Sequence, residues 1–230
     1  MRSVAMKSCV RVIAAALVLN GVARAQTAAT PATTASGRPA ADRGYVEGVA
    51  QSAFGNVTTQ SYGVEFGATM RPSLQVFGEF GQTRDVADTA FTNGAGAIAS
   101  ALARVQPAAV GVSAKRPVLF GGGGVKYRPA TALTVQPYVL GGFGFARVKN
   151  NVTFTLGGAE AAAAALAPFV TLGSDLSGTS TRPLLTLGGG ATWPIWQALM
   201  LDFQYRFGRI FTEEHGTTTN RAGIGFGVRF

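Results

Sequence analysis

Glu47, Glu65, Glu79 and Asp202 on one side, and Lys126, Arg206, Arg221 and Arg229 on the other, share one trait. Each sits in a segment where apolar residues recur at every second position, and each takes the polar phase. If that phase is enclosed, the eight must largely pair, because an unpaired buried charge costs several kcal/mol. Paired charges in an enclosed space can line a gated ion path, or act as an electrostatic plug that fixes strand register. Two other features could carry chemistry. His215, the only histidine, stands in "TEEHGTTT" beside Glu213 and Glu214. "GGGG" at positions 121–124 has the look of a phosphate loop, but no Gly-Lys-Ser/Thr follows it. Glycine in both phases of one strand suits close strand packing or a bend instead.

The elements that must position these residues are strands. Eight segments alternate with period two: 44–54, 58–70, 74–84, 116–127, 134–148, 182–193, 198–210 and 219–230. They are longer than the five or six residues usual in globular proteins. After the second, fourth and sixth segments the links are short and contain proline: "RPS", "RPATAL" and "PIWQ". Links 85–115 and 149–181 are long, and both contain alanine-rich stretches, the first with a helical look. Long links at one end and short turns at the other suit a barrel seated asymmetrically in a membrane.

Composition decides which phase faces outward. In 198–210 the apolar phase is Leu199, Leu201, Phe203, Tyr205 and Phe207, against Met200, Asp202, Gln204, Arg206 and Gly208. The final ten residues set Ala222, Ile224, Phe226, Val228 and Phe230 against Arg221, Gly223, Gly225, Gly227 and Arg229. A water-facing surface is roughly 25 to 35% charged, whereas this second phase is mostly glycine and small hydroxyls with an occasional charge. It suits a crowded lumen, and the apolar phase then meets lipid. Ten residues tilted by about 40° climb roughly 25 Å, the height of an apolar band. Tyr127, Trp193 and Trp196 lie at short turns, where an aromatic girdle belongs. A soluble ligand-binding barrel of reversed facing is the competing fold.

The rest of the composition agrees. Hydrophobic residues make up 47% and charged residues 13%, against about 25% charged in an average soluble domain. No apolar run after the N-terminus reaches the 18 or more residues of a membrane helix. Residues 1–25 read as a secretory signal: Arg2, Lys7 and Arg11 precede an apolar core, and Ala23-Arg24-Ala25 is a cleavage site before Gln26. Residues 26–43 read as a disordered periplasmic lead-in, and 44–230 as the barrel. Cleavage removes Cys9, the one cysteine, so disulfides and thiol chemistry are not expected. It also removes four of the 20 basic residues, leaving 16 − 11 = +5, too weak and scattered for nucleic-acid binding.

With these residues in view, the chain resembles the small eight-stranded outer-membrane barrels: the transmembrane domain of outer membrane protein A and the opacity-like surface proteins. The resemblance covers about 44–230, and its most specific part is "LDFQYRFGRIF" with "NRAGIGFGVRF". It implies an all-β, eight-stranded antiparallel up-and-down transmembrane barrel. It also implies that Phe230 is read by the barrel-assembly machinery. The peptidoglycan-binding domain of the larger homologues is not expected, since the sequence stops at Phe230. Small barrels that deacylate lipid A place His and Ser two apart on a strand, whereas His215 is followed at that distance by Thr217. The expectation is therefore a monomeric, non-enzymatic barrel without cofactor or metal, in contact with outer-membrane lipid, with a structural or surface-interaction role and a lumen plugged by side chains. Eight strands leave an interior that side chains fill. The alternative is a small porin-like channel for ions or small apolar solutes. The long links 85–115 and 149–181 are where a surface ligand would bind, if they are ordered.

Overall fold

The computed structural model describes residues 43–161, 177–211 and 216–230. The expected signal peptide with Cys9, the lead-in before Arg43, and His215 with Glu213 and Glu214 lie outside the described residues. The elements are β1 (Gly44–Phe54), β2 (Thr59–Arg71), β3 (Leu74–Thr83), α1 (Thr89–Val105), β4 (Val110–Lys115), β5 (Val118–Tyr127), β6 (Gln136–Leu156), β7 (Ala159–Glu160), β8 (Ser177–Pro194), β9 (Leu199–Ile210) and β10 (Thr217–Arg229).

Eight of these strands close into a ring of antiparallel neighbours, β1-β2-β3-β5-β6-β8-β9-β10 and back to β1. Each pairs with the next ring strand in sequence, which makes the barrel up-and-down. The stagger can be read from one row of paired residues. It runs from Arg147 through Leu119, Gln82, Tyr62, Ala50, Ile224, Phe203 and Ala191, and returns to β6 at Pro137, a slip of 147 − 137 = 10 residues. Eight inter-strand gaps of about 4.8 Å against ten rises of about 3.3 Å give a tilt near 40° and a backbone radius of roughly 8 Å. A tube that narrow has room for side chains and little else.

Alternation puts the two phases where the composition argument places them. Val46, Val64, Phe66, Phe80, Val139, Phe143, Phe203, Ile224, Phe226 and Val228 are exposed on the outside, while Glu47, Glu65, Lys126, Asp202, Arg206 and Arg221 are buried inside. Phe143 is 70% exposed and Arg206 1%, an inversion of water-soluble burial that only a lipid exterior makes favourable. The reversed-facing soluble barrel is overturned by this pattern. Tyr127, Trp193 and Trp196 are all exposed at the short-turn end.

The first long link contains the helix its alanine-rich stretch suggests, and both long links contain strand that the sequence reading did not expect. Link 85–115 contains α1 and an added strand, β4, paired with residues 151–156 of β6. Link 149–181 is largely strand at its two ends, because β6 runs on to Leu156 and β8 begins at Ser177. These extensions pair with each other from Lys149↔Thr179 to Asn151↔Ser177. The α1 start is capped by Asp88, whose Oδ1 accepts the Phe91 amide at 2.8 Å. Phe91, Ala95, Ala99 and Leu102 recur on one face and are buried, the last two in a cluster with Phe154 of β6. So, among the described residues, the end with the long links carries a small packed platform.

The candidate site in the barrel lumen

The lumen is filled by a charged hub and by apolar clusters. At mid-barrel, Glu65 is the hub. Its Oε1 accepts the Tyr45 hydroxyl at 2.6 Å and Lys126 Nζ at 2.5 Å, and its Oε2 accepts Nη2 of Arg206. Arg206 Nε also donates to Gln204 Oε1 at 2.8 Å, which accepts Gln51 Nε2 at 3.3 Å. Lys126 Nζ lies 4.5 Å and 4.3 Å above the rings of Tyr45 and Tyr138, so the cation is held by π faces as well as by its carboxylate. Five strands, β1, β2, β5, β6 and β9, supply this cluster, and no two of its charged partners lie closer than 61 residues in sequence.

The remaining charges sit around the hub. Glu79 is 3.6 Å from Nη2 of Arg221 and accepts the Thr186 hydroxyl at 3.1 Å. Asp202 meets no cation at bonding distance among the described residues; it accepts the Tyr138 hydroxyl at 2.6 Å and the Thr192 hydroxyl at 3.2 Å. Arg229, half-buried, lines the short-turn end. Glu47 differs from the others. It is 1% exposed, stands directly opposite Glu65 in the β1–β2 register, and neither carboxylate oxygen has a hydrogen-bond partner among the described residues. Glu47→Gln removes a like charge from that pair and breaks no ion pair. It is expected to cost less than about 1 kcal/mol in urea unfolding of the refolded barrel, in contrast with any change at Glu65.

Sequence reasoning treated the inner phase as polar and small, and missed the apolar clusters. Toward the long-link end, Val118, Phe120, Ala146, Val148, Leu184 and Ile210 form a buried cluster with Val86 of the β3–α1 link. Val86 and its neighbour Ala87 are 4% and 1% exposed, so the link dips into the mouth. Arg116 fastens it: Asp88 Oδ2 is 2.9 Å from Arg116 Nη1, Asp85 Oδ1 accepts the Arg116 amide at 2.9 Å, and the Arg116 guanidinium stacks 4.2 Å over Phe91. The sequence signal was available in the inward phase of β5, where Val118 and Phe120 precede glycines. At the level of the hub, Phe77, Tyr138 and Leu140 form another apolar group, with Leu140 directly opposite Lys126 in register. A small recess opens at the short-turn end, lined by Glu47, Gln75, Lys126 and Arg229 among others.

The glycines permit this crowding. A Cβ on Gly122 would stand 2.7 Å from the Phe143 carbonyl, and one on Gly124 would stand 2.2 Å from that of Gly141, so the run 121–124 serves close strand packing. Phe230 closes the ring: its carbonyl accepts the Gly44 amide at 2.9 Å and its amide donates back to Gly44 at 3.0 Å.

A closed ring of eight antiparallel strands, staggered by ten residues, with an apolar exterior and a charged lumen, decides the architecture. The fold is that of a small outer-membrane β-barrel. Among solved structures, this barrel is similar to Neisserial surface protein A, with 14% identity and a TM-score of 0.50 over 81% of this chain and 96% of that one. A major outer membrane protein from Thermus thermophilus matches at 14% identity and TM-score 0.48, over 81% of this chain and 99% of that one. The N-terminal barrel domain of Pseudomonas aeruginosa OprF matches at 14% and 0.45, over 81% and 97%. No protein-family model and no curated protein matches the sequence.

Proposed function

We propose that the chain is a monomeric, non-enzymatic protein of the bacterial outer membrane, with a structural or surface-interaction role and a lumen that does not conduct. The signal-like residues 1–25 direct export and are cleaved before Gln26. The barrel-assembly machinery reads the terminal strand through Phe230, and the long links face the cell exterior. The observation that carries the reading is the stacking of a salt-bridged hub beneath an apolar mouth cluster that includes Val86. A hydrated ion would have to break the contacts of Glu65 and then cross that apolar level. The platform of α1, β4 and the extended β6 and β8 offers the only large described surface beyond the membrane band, and so the natural place for a partner.

The test is planar-bilayer recording with the refolded full chain. No steady, defined openings are expected at ordinary voltages. Reproducible unit conductance would overturn the plug and favour the porin-like alternative. Fractionation checks the location: the protein is expected with outer membranes, soluble only in detergent, and shifted in gel mobility by boiling.

A further inference from the structure

Four exposed basic residues, Arg84, Arg147, Lys149 and Arg209, continue the outward phase of their strands past the last apolar residues at the long-link end. They lie on β6, on β9 and just beyond β3, at different positions in each strand, yet the stagger brings them to one height. Each residue along a strand climbs about 2.5 Å of the axis, and each step along the row from β6 through β5 and β3 descends about 3 Å. By that count the four stand within about 10 Å of one another in height, and Tyr127 and Trp193 lie roughly 25 Å below. The apolar band therefore has an aromatic lower border and a basic upper one.

Three of the four converge. Lys149 pairs across Pro117, through its amide on the Pro117 carbonyl at 3.0 Å, and Arg84 follows Thr83, which pairs with Val118. Arg147 pairs with Leu119 on the same strand. Arg84, Arg147 and Lys149 thus flank the top of β5 from both sides. None makes a hydrogen bond or ion pair through its side chain among the described residues; Arg84 only leans over Tyr62 at 5.8 Å. The described acids near this end are spoken for or remote: Asp85 and Asp88 hold Arg116, and Glu160 lies on β7. Below the cations the outer face of β5 runs from the exposed Leu119 to Gly121 and Gly123. In register, Gly121 lies between Phe80 and Phe145, and Gly123 lies beside Phe143. Phe80, Phe143 and Phe145 are 56%, 70% and 63% exposed. The wall is therefore shallow along β5 and rimmed by aromatic rings.

The geometry points to a binding site for a phosphorylated membrane lipid on the outer wall of the barrel, with the headgroup phosphate held by Arg84, Arg147 and Lys149 and an acyl chain lying along Gly121 and Gly123. Charge complementarity selects the occupant: three unpaired cations at the height of the headgroups fit a phosphomonoester, and the apolar strip beneath them fits a chain attached to it. In an outer membrane with the long links outside, this lipid is the phosphorylated glycolipid of the outer leaflet. The inference rests on the membrane reading above.

The full chain is refolded into phosphatidylcholine vesicles containing either diphosphorylated lipid A or its dephosphorylated form, and the lipid A retained per barrel after detergent extraction is measured by mass spectrometry. Retention of the phosphorylated form is expected, with R147Q lowering it roughly fivefold and R84Q/R147Q/K149Q about a hundredfold. R209Q, two strands away from β6 on the far side from β5, should leave it unchanged. Equal retention of both forms, or a loss with R209Q as large as with the triple variant, overturns the site and leaves the barrel intact. A chain that inserts into neither vesicle, shown by unshifted gel mobility, overturns the membrane reading instead.

Discussion

Glu65→Gln is expected to destabilise the barrel by about 3 to 5 kcal/mol, the cost of breaking a buried ion pair by removing one partner. The glutamine keeps the shape of the side chain and removes only its charge. Lys126 and Arg206, 3% and 1% exposed, would then keep two cations in the lumen with their shared carboxylate gone. Tyr45 would still have an oxygen to donate to, so the loss reads charge and not packing. The measurement is the urea midpoint of the refolded protein, followed by the mobility of unboiled samples. Replacing all three charges with Leu or Met is expected to recover much of the loss, since an apolar core of similar volume often equals or exceeds a buried ion cluster in stability. A loss below about 1 kcal/mol for Glu65→Gln would mean that the ion pairs do not hold the lumen together.

Gly223→Val is the second large effect. A Cβ at Gly223 would lie 2.1 Å from the Ala50 carbonyl oxygen and 2.5 Å from the Gln51 Cα. Both belong to β1, so the valine pushes on backbone, which cannot rotate away as a side chain can. The site is the seam where β10 meets β1 and the ring closes. An overpacking cost of at least about 3 kcal/mol is expected, together with a lower yield of the fast-migrating folded form. Ala222→Val, one residue earlier on the lipid side, should change stability by no more than about 0.5 kcal/mol. If the two variants unfold alike, the inward phase is not crowded at the seam.

Both results turn on strand alternation, which is clearest in Arg221 to Phe230, and there the sequence was most legible. A period of two over ten residues admits one local structure, and the composition of each phase assigns it an environment. The eight ring strands, their facing and the division into short turns and long links all follow from such local patterns. The extensions of β6 and β8 did not, because "KNNVTFTL" and "SGTST" interrupt the apolar phase once the strands leave the membrane. Pairing above the band is held by backbone hydrogen bonds and by α1, and neither requires an apolar face toward lipid. The packing of α1 was hidden for a related reason: half of its buried face is alanine, which an unpacked loop could equally contain.

The sequence by itself determined which residues are enclosed, because enclosure follows from strand phase and phase is local. It placed Glu65 and Arg206 in the same interior without showing that they meet. Only the tertiary structure decided that, since the contact spans 141 residues and depends on the ten-residue stagger accumulated around the ring. The same stagger brings Arg84, Arg147 and Lys149 together at one height on the outside. Register is a property of the closed ring, and no single strand carries it.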